Sequence, residues 1–434
     1  MNTMVICLII CLLAIISYVW GKVSMATTAM VSLVAFVITG CLSPNDALLN
    51  FGNKNGIMIM SMFVVAAGLQ RTQFIKMVAS SVNKIAKGSL VRVMTGYILI
   101  SIILAQFIQS PLIVFSIMAP MMAATCKDMN IPTSQVMFAL GISAITTCSA
   151  LPLGSGATVA AELNGYLEAN GYAEFVVALT DPMRARLPIV ILMAVYCIFF
   201  ASKISPSEPV VATSTLTSAR KLDKKPPLKP FQERAGYIIF ILVTLGLIFQ
   251  KSLPSALVAP PWIICLTGAV FMVLTGVLSG KEACGAMNIP MYLLFVGAMA
   301  MGGALSSSGA GTVIGDAIAS IANSLNNKYL IVALFFVVPF LLTQVMQNRA
   351  VMMIFIPIAI QACKSMGANP IGVIIIVQTA CLAAFMTPMS TVAVPMIMAE
   401  GGYDIKSMFK QSILPAALIA IVAILWTPNA FPLY

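Results

Sequence analysis

Four short segments of this 434-residue sequence place polar residues and helix breakers inside long apolar runs. Two are polar tips, Gln109–Pro111 and Gln347–Arg349, and two are breaks rich in proline, glycine, serine or threonine, Leu151–Thr158 and Thr387–Thr391. Proline removes a backbone donor and glycine relaxes a helix, so carbonyl oxygens at such breaks are free to bind a cation. The helix N-termini that follow suit a carboxylate or an oxyanion. The four segments therefore predict a binding site for a small anion, with a cation nearby.

The candidate substrate-binding residues all lie in these four segments. They are Gln109, Ser110, Gly154, Ser155, Gln347, Asn348, Arg349, Thr387, Pro388, Ser390 and Thr391. Non-helical backbone inside a bilayer must line a cavity or be buried in protein. A single break is weak support, since proline and glycine kink many membrane helices, but four breaks in two matching pairs favour a functional site.

Arg349 is the most informative single residue. A guanidinium in an apolar hairpin is costly unless it is paired, and such a residue marks a functional site by default. It could bind a substrate carboxylate through two nitrogens. An internal salt bridge or snorkelling to the surface is the alternative, but no acidic residue of the neighbouring spans is an obvious partner. Glu162 and Glu400 follow the two breaks, and are either solvated loop residues or proton carriers.

The residue types do not favour an enzyme. Histidine is absent, and no pairing of a nucleophile with a base is visible. The ten cysteines are scattered singly, which is typical of small apolar helix residues rather than of a metal site. The net charge of +11 comes from basic residues in short gaps between apolar runs. These are topology signals, so we expect no nucleic-acid partner and no cofactor beyond coupling ions.

The elements that position these residues are predicted to be membrane helices. The chain is 60% hydrophobic and 9% charged, with a mean hydropathy of +1.02, and many uncharged runs approach the ~20 residues that cross a bilayer. We predict an all-α membrane protein with about ten transmembrane helices and two re-entrant hairpins, at 93–126 and 330–363. The spans lie near 4–20, 25–42, 56–70, 134–151, 186–202, 236–250, 260–279, 290–306, 371–388 and 412–427. The first is expected to be a retained span rather than a signal peptide.

The chain divides into two similar halves. A Pro-, Ser-, Thr- and Lys-rich stretch at 205–235 is predicted to be a flexible cytoplasmic linker between a first repeat at 1–204 and a second at 236–434. Tips, breaks and helix-opening prolines recur in the same order in both halves. If the hairpins return to their own side, 17 of the 24 Lys and Arg residues lie inside and six, including Arg186, outside. Five crossings in each half then make the repeats inverted, which is typical of transporters.

Two further segments, Arg71–Lys87 and Ser306–Asn327, have apolar residues interleaved with polar ones. They occupy equivalent places in the two halves. We interpret both as helices that lie along the membrane surface and hold a moving unit to its scaffold.

The sequence resembles the divalent anion–sodium symporter (DASS) family of the ion transporter superfamily. The resemblance rests on the two tips and on Phe63–Gln73, Thr387–Pro395 and Gly401–Pro415, and it covers most of the chain after about residue 45. It implies an elevator-type fold, a homodimer, and sodium and carboxylate binding by a Ser-Asn-Thr sequence at each hairpin tip. By position, Asn348 matches that pattern, whereas Pro111 and Arg349 depart from it. The candidate sodium ligands are Ser110, Gly154, Asn348 and Thr387.

The sequence thus predicts a secondary active transporter of a small organic anion, di- or tricarboxylate-like, that works by alternating access in the inner (plasma) membrane. Sodium is the first choice of coupling ion, and Arg349 could supply the charge that a second sodium gives in the family. Anion exchange, efflux of an inorganic oxyanion or arsenite, and sodium–proton antiport are the alternatives within transport. A membrane-embedded enzyme or a channel is the alternative outside it.

Overall fold

The computed structural model describes residues 2–20, 22–74, 77, 89–108, 110–211, 213, 227–249, 259–325 and 327–434. Within these residues all regular structure is helical. The first half contains α1 (Thr3–Trp20), α2 (Met25–Ile38), α3 (Pro44–Phe51), α4 (Lys54–Arg71), α5 (Leu90–Phe107), α6 (Pro111–Asp128), α7 (Met137–Thr147), α8 (Ser155–Ala169), α9 (Asp181–Phe199) and the short α10 (Ala201–Ile204). The second contains α11 (Pro230–Phe249), α12 (Pro261–Leu274), α13 (Gly280–Ala286), α14 (Ile289–Ser307), α15 (Ala310–Leu325), α16 (Lys328–Leu342), α17 (Asn348–Met366), α18 (Pro370–Leu382), α19 (Ala393–Gly401) and α20 (Ile405–Ala430).

Seven of the described helices are long and apolar enough to cross a membrane, namely α1, α5, α9, α11, α14, α17 and α20. Shorter apolar helices, among them α2, α12, α16 and α18, accompany them. Large apolar side chains such as Leu13, Ile38 and Leu274 are exposed on the outside of the bundle. A surface of this kind is stable in hydrocarbon rather than in water. The prediction of an all-α, multi-pass membrane protein is confirmed.

The two halves contain the same succession of helices. Helices α1–α4 of the first half have the counterparts α11–α14 in the second, and α5–α9 have the counterparts α16–α20. The packing repeats as well, because α2 packs against α14 of the other half while α12 packs against α4. The inverted orientation of the halves in the membrane stays a prediction.

Small residues and caps explain how these helices start and meet. Gly297 of α14 crosses α2 so closely that a Cβ there would lie 2.5 Å from the Cβ of Ala29. The side chains of Ser24, Ser43, Asn53, Ser279, Asn369 and Asp404 each accept a hydrogen bond from the backbone N–H of a residue in the first turn that follows. Such caps satisfy backbone donors that a helix leaves free at its N-terminus.

Both predicted hairpins are pairs of helices with non-helical residues between them. These are the described residues 108 and 110 between α5 and α6, and residues 343–347 between α16 and α17. Both predicted breaks also separate two helices, with residues 148–154 between α7 and α8 and residues 383–392 between α18 and α19. Both non-helical segments begin a few residues before the predicted breaks, Leu151–Thr158 and Thr387–Thr391. Ser155–Thr158 of the first predicted break already belong to α8.

Of the two predicted surface helices, the second corresponds to α15, which packs against α17 of the second hairpin. The first lies outside the described residues except for Arg71–Phe74 and Met77. The linker is described at 205–211, at 213 and from 227 onward. The backbone N–H groups of Val210 and Val211 donate to the carbonyl of Gly402, at 2.8 and 3.0 Å, so the start of the linker contacts the end of α19.

Candidate functional site

A cavity of about 160 Å³ lies where the two hairpin tips meet the two breaks. It is lined by Ser110, Pro111, Ile145, Cys148, Ser149, Val159, Asn348, Arg349, Met352, Gln378, Leu382 and Thr391. We call this space the central cavity. Both halves of the chain contribute to it, and its walls combine a few polar groups with apolar side chains, as is usual in small-molecule sites.

Two helix N-termini face the central cavity. The first residues of α6 and α17 line it, together with Ser110 and Arg349. The N-cap residues Ser110 and Gln347 make no side-chain cap hydrogen bond, so the N–H groups of both first turns are not capped in that way. The ends of two helix dipoles and one guanidinium thus make this end of the cavity electropositive, which suits an anion.

Arg349 has an acidic partner in the other half of the chain. Its Nη1 lies 2.7 Å from Oε2 of Glu162 in α8, and the hydroxyl of Tyr166 donates to Oε1 of the same carboxylate at 3.2 Å. The sequence interpretation that Arg349 lacks an acidic partner is therefore wrong, since the partner is distant in sequence and close in space. Glu162 is only 3% exposed and is not a solvated loop residue.

The ion pair leaves part of the guanidinium open to the cavity. The side chain of Arg349 is 29% exposed, while that of Glu162 is 4% exposed. Nη1 is the nitrogen that binds Glu162, and no described residue hydrogen-bonds to Nε or Nη2. Arg349 can thus keep its bond to Glu162 and still present donors to a bound anion.

A glutamine before each tip connects the hairpin to its break, and sequence reasoning missed both. Oε1 of Gln106 accepts from the N–H groups of Ala150 and Leu151, at 3.2 and 2.9 Å, and its Nε2 donates to the carbonyl of Thr147 at 2.9 Å. The carbonyl of Gln106 accepts from the hydroxyl of Ser155 at 2.9 Å. These bonds satisfy backbone groups that the unwound break would otherwise leave unpaired.

Gln344 has the same role in the second half with fewer bonds. Its Oε1 accepts from the N–H of Met386 at 3.1 Å, and its carbonyl accepts from the hydroxyl of Thr387. A signal for both residues exists in the sequence, because each hairpin carries a Gln-x-x-Gln spacing, Gln106–Gln109 and Gln344–Gln347.

Arg186 lies behind the first break, fully inside the protein. It is 1% exposed, and its Nη1 and Nη2 donate to the carbonyls of Cys148 and Thr146, each at 2.8 Å. Sequence analysis counted it on the outer side, at the start of the span 186–202, but α9 begins five residues earlier, at Asp181, and carries Arg186 into the protein interior. A cation at the C-terminus of α7 is favoured by the helix dipole. Next to it, Ser149 lines the cavity with a positive φ of 58°, a strained conformation for a serine.

The structure brings some of the predicted site residues together and not others. Ser110, Asn348, Arg349 and Thr391 line the central cavity. Gly154, Ser155, Gln347, Thr387, Pro388 and Ser390 do not line it, and Gln109 lies outside the described residues. The hydroxyls of Ser155, Thr387 and Ser390 donate hydrogen bonds to the backbone carbonyls of Gln106, Gln344 and Thr387. Gly154 has a φ of +57° and forms the turn into α8, which explains the glycine. Of the candidate sodium ligands, Ser110 and Asn348 share the cavity.

A second cavity, of about 360 Å³, lies between α4, α8 and α12. Its charged residues already bind each other, with Nζ of Lys54 3.5 Å from Oε1 of Glu168. The amides of Asn53 and Asn55 donate to the other carboxylate oxygen at 3.2 Å. The charges of this second cavity are compensated, and it lies away from the tips and breaks. The central cavity is therefore the candidate site.

Comparison with known proteins identifies the family of the chain. The sequence profile of a family described as citrate transporters matches residues 15–351 and, in an overlapping second match, residues 245–434. The chain belongs to this family. The protein is therefore a transporter and not an enzyme, and the resemblance to the divalent anion–sodium symporters is confirmed at the level of the family.

The transporter has distant relatives among characterised and uncharacterised proteins. An uncharacterized transporter of Haemophilus influenzae is 22% identical over 95% of this chain and 89% of its own length. One of Synechocystis is 27% identical over 46% of this chain, and sodium/sulfate cotransporter 2 of Chlamydomonas reinhardtii is 23% identical over 42%. The aligned part spans about a third of the Synechocystis protein (31%) and 21% of the Chlamydomonas protein.

Two solved structures share the fold of the transporter. MtrF of Neisseria gonorrhoeae, from a class of antimetabolite efflux pumps, covers 98% of this chain with a TM-score of 0.59 and 13% identity. The YdaH transporter of Alcanivorax borkumensis covers 88% with a TM-score of 0.56 and 13% identity. At this identity the likeness concerns the fold alone.

Proposed function

We propose that the protein is a secondary active transporter of a small carboxylate anion, such as a di- or tricarboxylate, which binds in the central cavity. The observation that carries the proposal is the meeting of Arg349 with the N-termini of α6 and α17 at one enclosed space. These groups are donors and positive charges aimed at the same volume. A carboxylate there accepts from Arg349 and from first-turn N–H groups.

The size of the cavity supports a small substrate. A cavity volume of about 160 Å³ suits an anion of a few carbon atoms. The Chlamydomonas relatives are named as sodium/sulfate cotransporters, which makes an inorganic oxyanion the competing substrate class. The apolar wall formed by Ile145, Val159, Met352 and Leu382 favours a substrate with a carbon skeleton over a bare oxyanion.

Glu162 gives the site a resting partner for its charge. In the empty cavity the carboxylate of Glu162 compensates Arg349, so that no unpaired guanidinium is buried. An incoming substrate carboxylate binds the free nitrogens. These nitrogens can bind it through two hydrogen bonds while Nη1 stays with Glu162, whose other partner is the hydroxyl of Tyr166.

We propose that a cation is coupled to the anion. Sodium is the first candidate, with the hydroxyl of Ser110 and the amide oxygen of Asn348 as ligands from the two tips. The proton is the second, with the buried Glu162 as its candidate carrier.

The proposal includes an elevator movement and a homodimer. The helices of the hairpins and breaks surround the cavity, whereas α1, α2, α11 and α12 lie apart from it and expose apolar side chains such as Leu13 and Leu274. The first group would move as a unit with the substrate against a scaffold made by the second. Mass photometry in lipid nanodiscs tests the homodimer. We expect particles whose protein mass is twice that of a single chain.

The test of the function is uptake into proteoliposomes. Labelled succinate and citrate are offered with an inward sodium gradient, an inward proton gradient or neither. Accumulation driven by one gradient supports the proposal and names the ion. Transport only of sulfate would contradict the carboxylate assignment. The variant Arg349→Gln should lose uptake, while Arg184→Gln, an exposed arginine at the start of α9 with a 57% exposed side chain, should keep it.

A further inference from the structure

Gln378 is a second polar anchor of the central cavity that neither the motifs nor the ion pair include. It lies on α18, lines the cavity, and has a relative exposure of 0%. Neither its Oε1 nor its Nε2 has a hydrogen-bond partner in the described part of the chain. Most buried polar side chains in proteins are hydrogen-bonded, so an amide with both atoms free points to a ligand.

The surroundings of Gln378 show that this amide is not needed for the helix itself. Helix α18 is apolar before Gln378, with Ile375, Ile376 and Val377 in the preceding turn. The next residue, Thr379, satisfies its hydroxyl within the helix by donating to the carbonyl of Ile375 at 2.8 Å. The counterpart helix in the first half, α7, reads Met-Phe-Ala-Leu-Gly-Ile-Ser-Ala-Ile-Thr-Thr and has no amide. The glutamine is thus a feature of one half and of the cavity side.

The chemistry of the amide limits what the ligand group can be. Gln378 offers a donor and an acceptor side by side. An ionised carboxylate satisfies only the donor, and a metal cation satisfies only the acceptor. An O–H group satisfies both, because its oxygen accepts from Nε2 while its hydrogen is donated to Oε1 of the same amide.

We propose that Gln378 is a specificity-determining residue that binds an O–H group of the transported anion, while an ionised carboxylate of the same molecule binds Arg349. This inference rests on the proposed function and narrows its substrate class. The O–H group is either an alcohol or a protonated second carboxyl group. Both residues line the same cavity of about 160 Å³, which lets one small molecule reach the two anchors.

A water molecule held permanently by Gln378 is the competing account. Water also donates and accepts, and a bound water would leave the site indifferent to the hydroxyl of a substrate. The two accounts differ in selectivity. A site that hydrogen-bonds a substrate O–H group rejects the analogue without it, because the buried amide is then left unpaired.

Two matched pairs of anions test the inference, malate against succinate and citrate against tricarballylate. The members of each pair differ by one hydroxyl group. We measure the KM of uptake in proteoliposomes and, independently, the thermal stabilisation of the purified full-length protein by each anion. If an alcohol is bound, the wild type should prefer the hydroxylated member of a transported pair by about 10- to 100-fold in kcat/KM. A wild-type ratio near one, together with succinate uptake that does not rise as the pH falls, would overturn the inference without any variant.

The variants Gln378→Met and Gln378→Leu remove the amide and keep most of its volume. In both, the ratio within each pair should fall to within about threefold, mainly through the hydroxylated substrate. Thr379→Val on the same helix is the control, and should leave the ratio as in the wild type. A ratio that Gln378→Met does not change would assign the selectivity elsewhere and contradict the inference.

The pH dependence separates the two sources of the O–H group. If a protonated carboxyl group is bound, succinate uptake rises as the pH falls through the range in which its second carboxylate is protonated, and Gln378→Met abolishes that rise. If an alcohol is bound, the preference for malate or citrate is the same across that range. Absence of both binding and uptake for all four anions in the wild type would instead overturn the proposed function, and this inference with it.

Discussion

The two hairpin-and-break pairs have the same architecture, but they differ in what holds them and in where they carry charge. In the first half Gln106 makes four hydrogen bonds to the break and to the helix ends that flank it, and Arg186 binds two further carbonyls from behind. In the second half Gln344 makes two bonds to its break, and α17 carries Arg349 into the cavity. The first half thus provides a strongly tied wall, and the second provides the charged group.

The difference shows how a repeated fold acquires one function. Pro111 holds the place in the first half that Arg349 holds in the second, and Ile413 holds the place of Arg186. Each arginine is therefore present once. One fixes the backbone of a break and the other lines the cavity, so the same side-chain type has a positioning role in one half and a proposed binding role in the other.

The largest effect is expected from Arg349→Gln. Uptake should fall by at least about 100-fold, because the guanidinium supplies the charge and two hydrogen bonds for the substrate carboxylate. The variant should also lose stability, since breaking a buried ion pair leaves Glu162 uncompensated at a cost of about 3–5 kcal/mol. The measurements are proteoliposome uptake and thermal unfolding in detergent.

A double variant separates these two effects. Arg349→Gln combined with Glu162→Gln removes both charges, so its unfolding temperature should lie above that of Arg349→Gln alone. Uptake should stay lost. Recovery of uptake in the double variant would show that Arg349 serves only to neutralise Glu162.

Arg186→Met should have the second-largest effect, and it tests the first half as a fixed wall. Two carbonyls in an apolar interior lose their donors, at about 1–3 kcal/mol each, partly offset because a buried cation is removed as well. We expect a lower unfolding temperature and at least about a tenfold loss of uptake. Arg186→Lys should recover only part, because an ammonium does not have the planar fork that holds both carbonyls. Unchanged uptake in Arg186→Met would contradict the idea that the first half forms a fixed wall of the cavity.

A direct comparison of the halves comes from Gln106→Leu and Gln344→Leu. The first removes the side-chain partner of three backbone groups of its break and the second that of one, so we expect about 2–3 and about 1 kcal/mol of destabilisation. Urea or thermal unfolding measures the difference. Equal losses would show that the two breaks are held equally by other contacts.

The smallest effect is expected from Ser110→Ala. Its hydroxyl makes no cap hydrogen bond, so stability should change by less than about 0.5 kcal/mol. If the hydroxyl is a sodium ligand, the sodium concentration for half-maximal uptake should rise several-fold. Asn348→Ala is the matched change at the other tip. An unchanged sodium dependence in both variants would favour the proton as the coupling ion.

Hydropathy and breaker residues predicted much of this molecule, because both report on local chain properties. The two hairpins, their tips and the two breaks follow from apolar runs interrupted by Pro, Gly and polar residues. The partner of Arg349 did not follow, since Glu162 lies on the other half and near a break, where it resembles a loop residue. Tertiary packing alone brings the two together, at 2.7 Å.

The roles of Arg186, Gln106 and Gln344 were also not predicted, for a different reason. Arg186 precedes Leu187 and Pro188 and was predicted to open the span 186–202 at the outer side, although α9 already starts five residues earlier, at Asp181. Gln106 and Gln344 were visible as a repeated spacing but have no special residue type. Gln378 gives no sequence signal at all, because one amide in an apolar helix is common and its unpaired state depends on its neighbours.

The ion pair between Glu162 and Arg349 has an electrical consequence. A unit charge carried across the membrane field exchanges about 2.3 kcal/mol with each 100 mV of potential. The ion pair is neutral, so in the proposed cycle its contribution to the return of the unloaded carrier would be independent of voltage. A substrate anion and its proposed coupling cations would change that balance, and the sensitivity of transport to membrane potential would then arise in the loaded step.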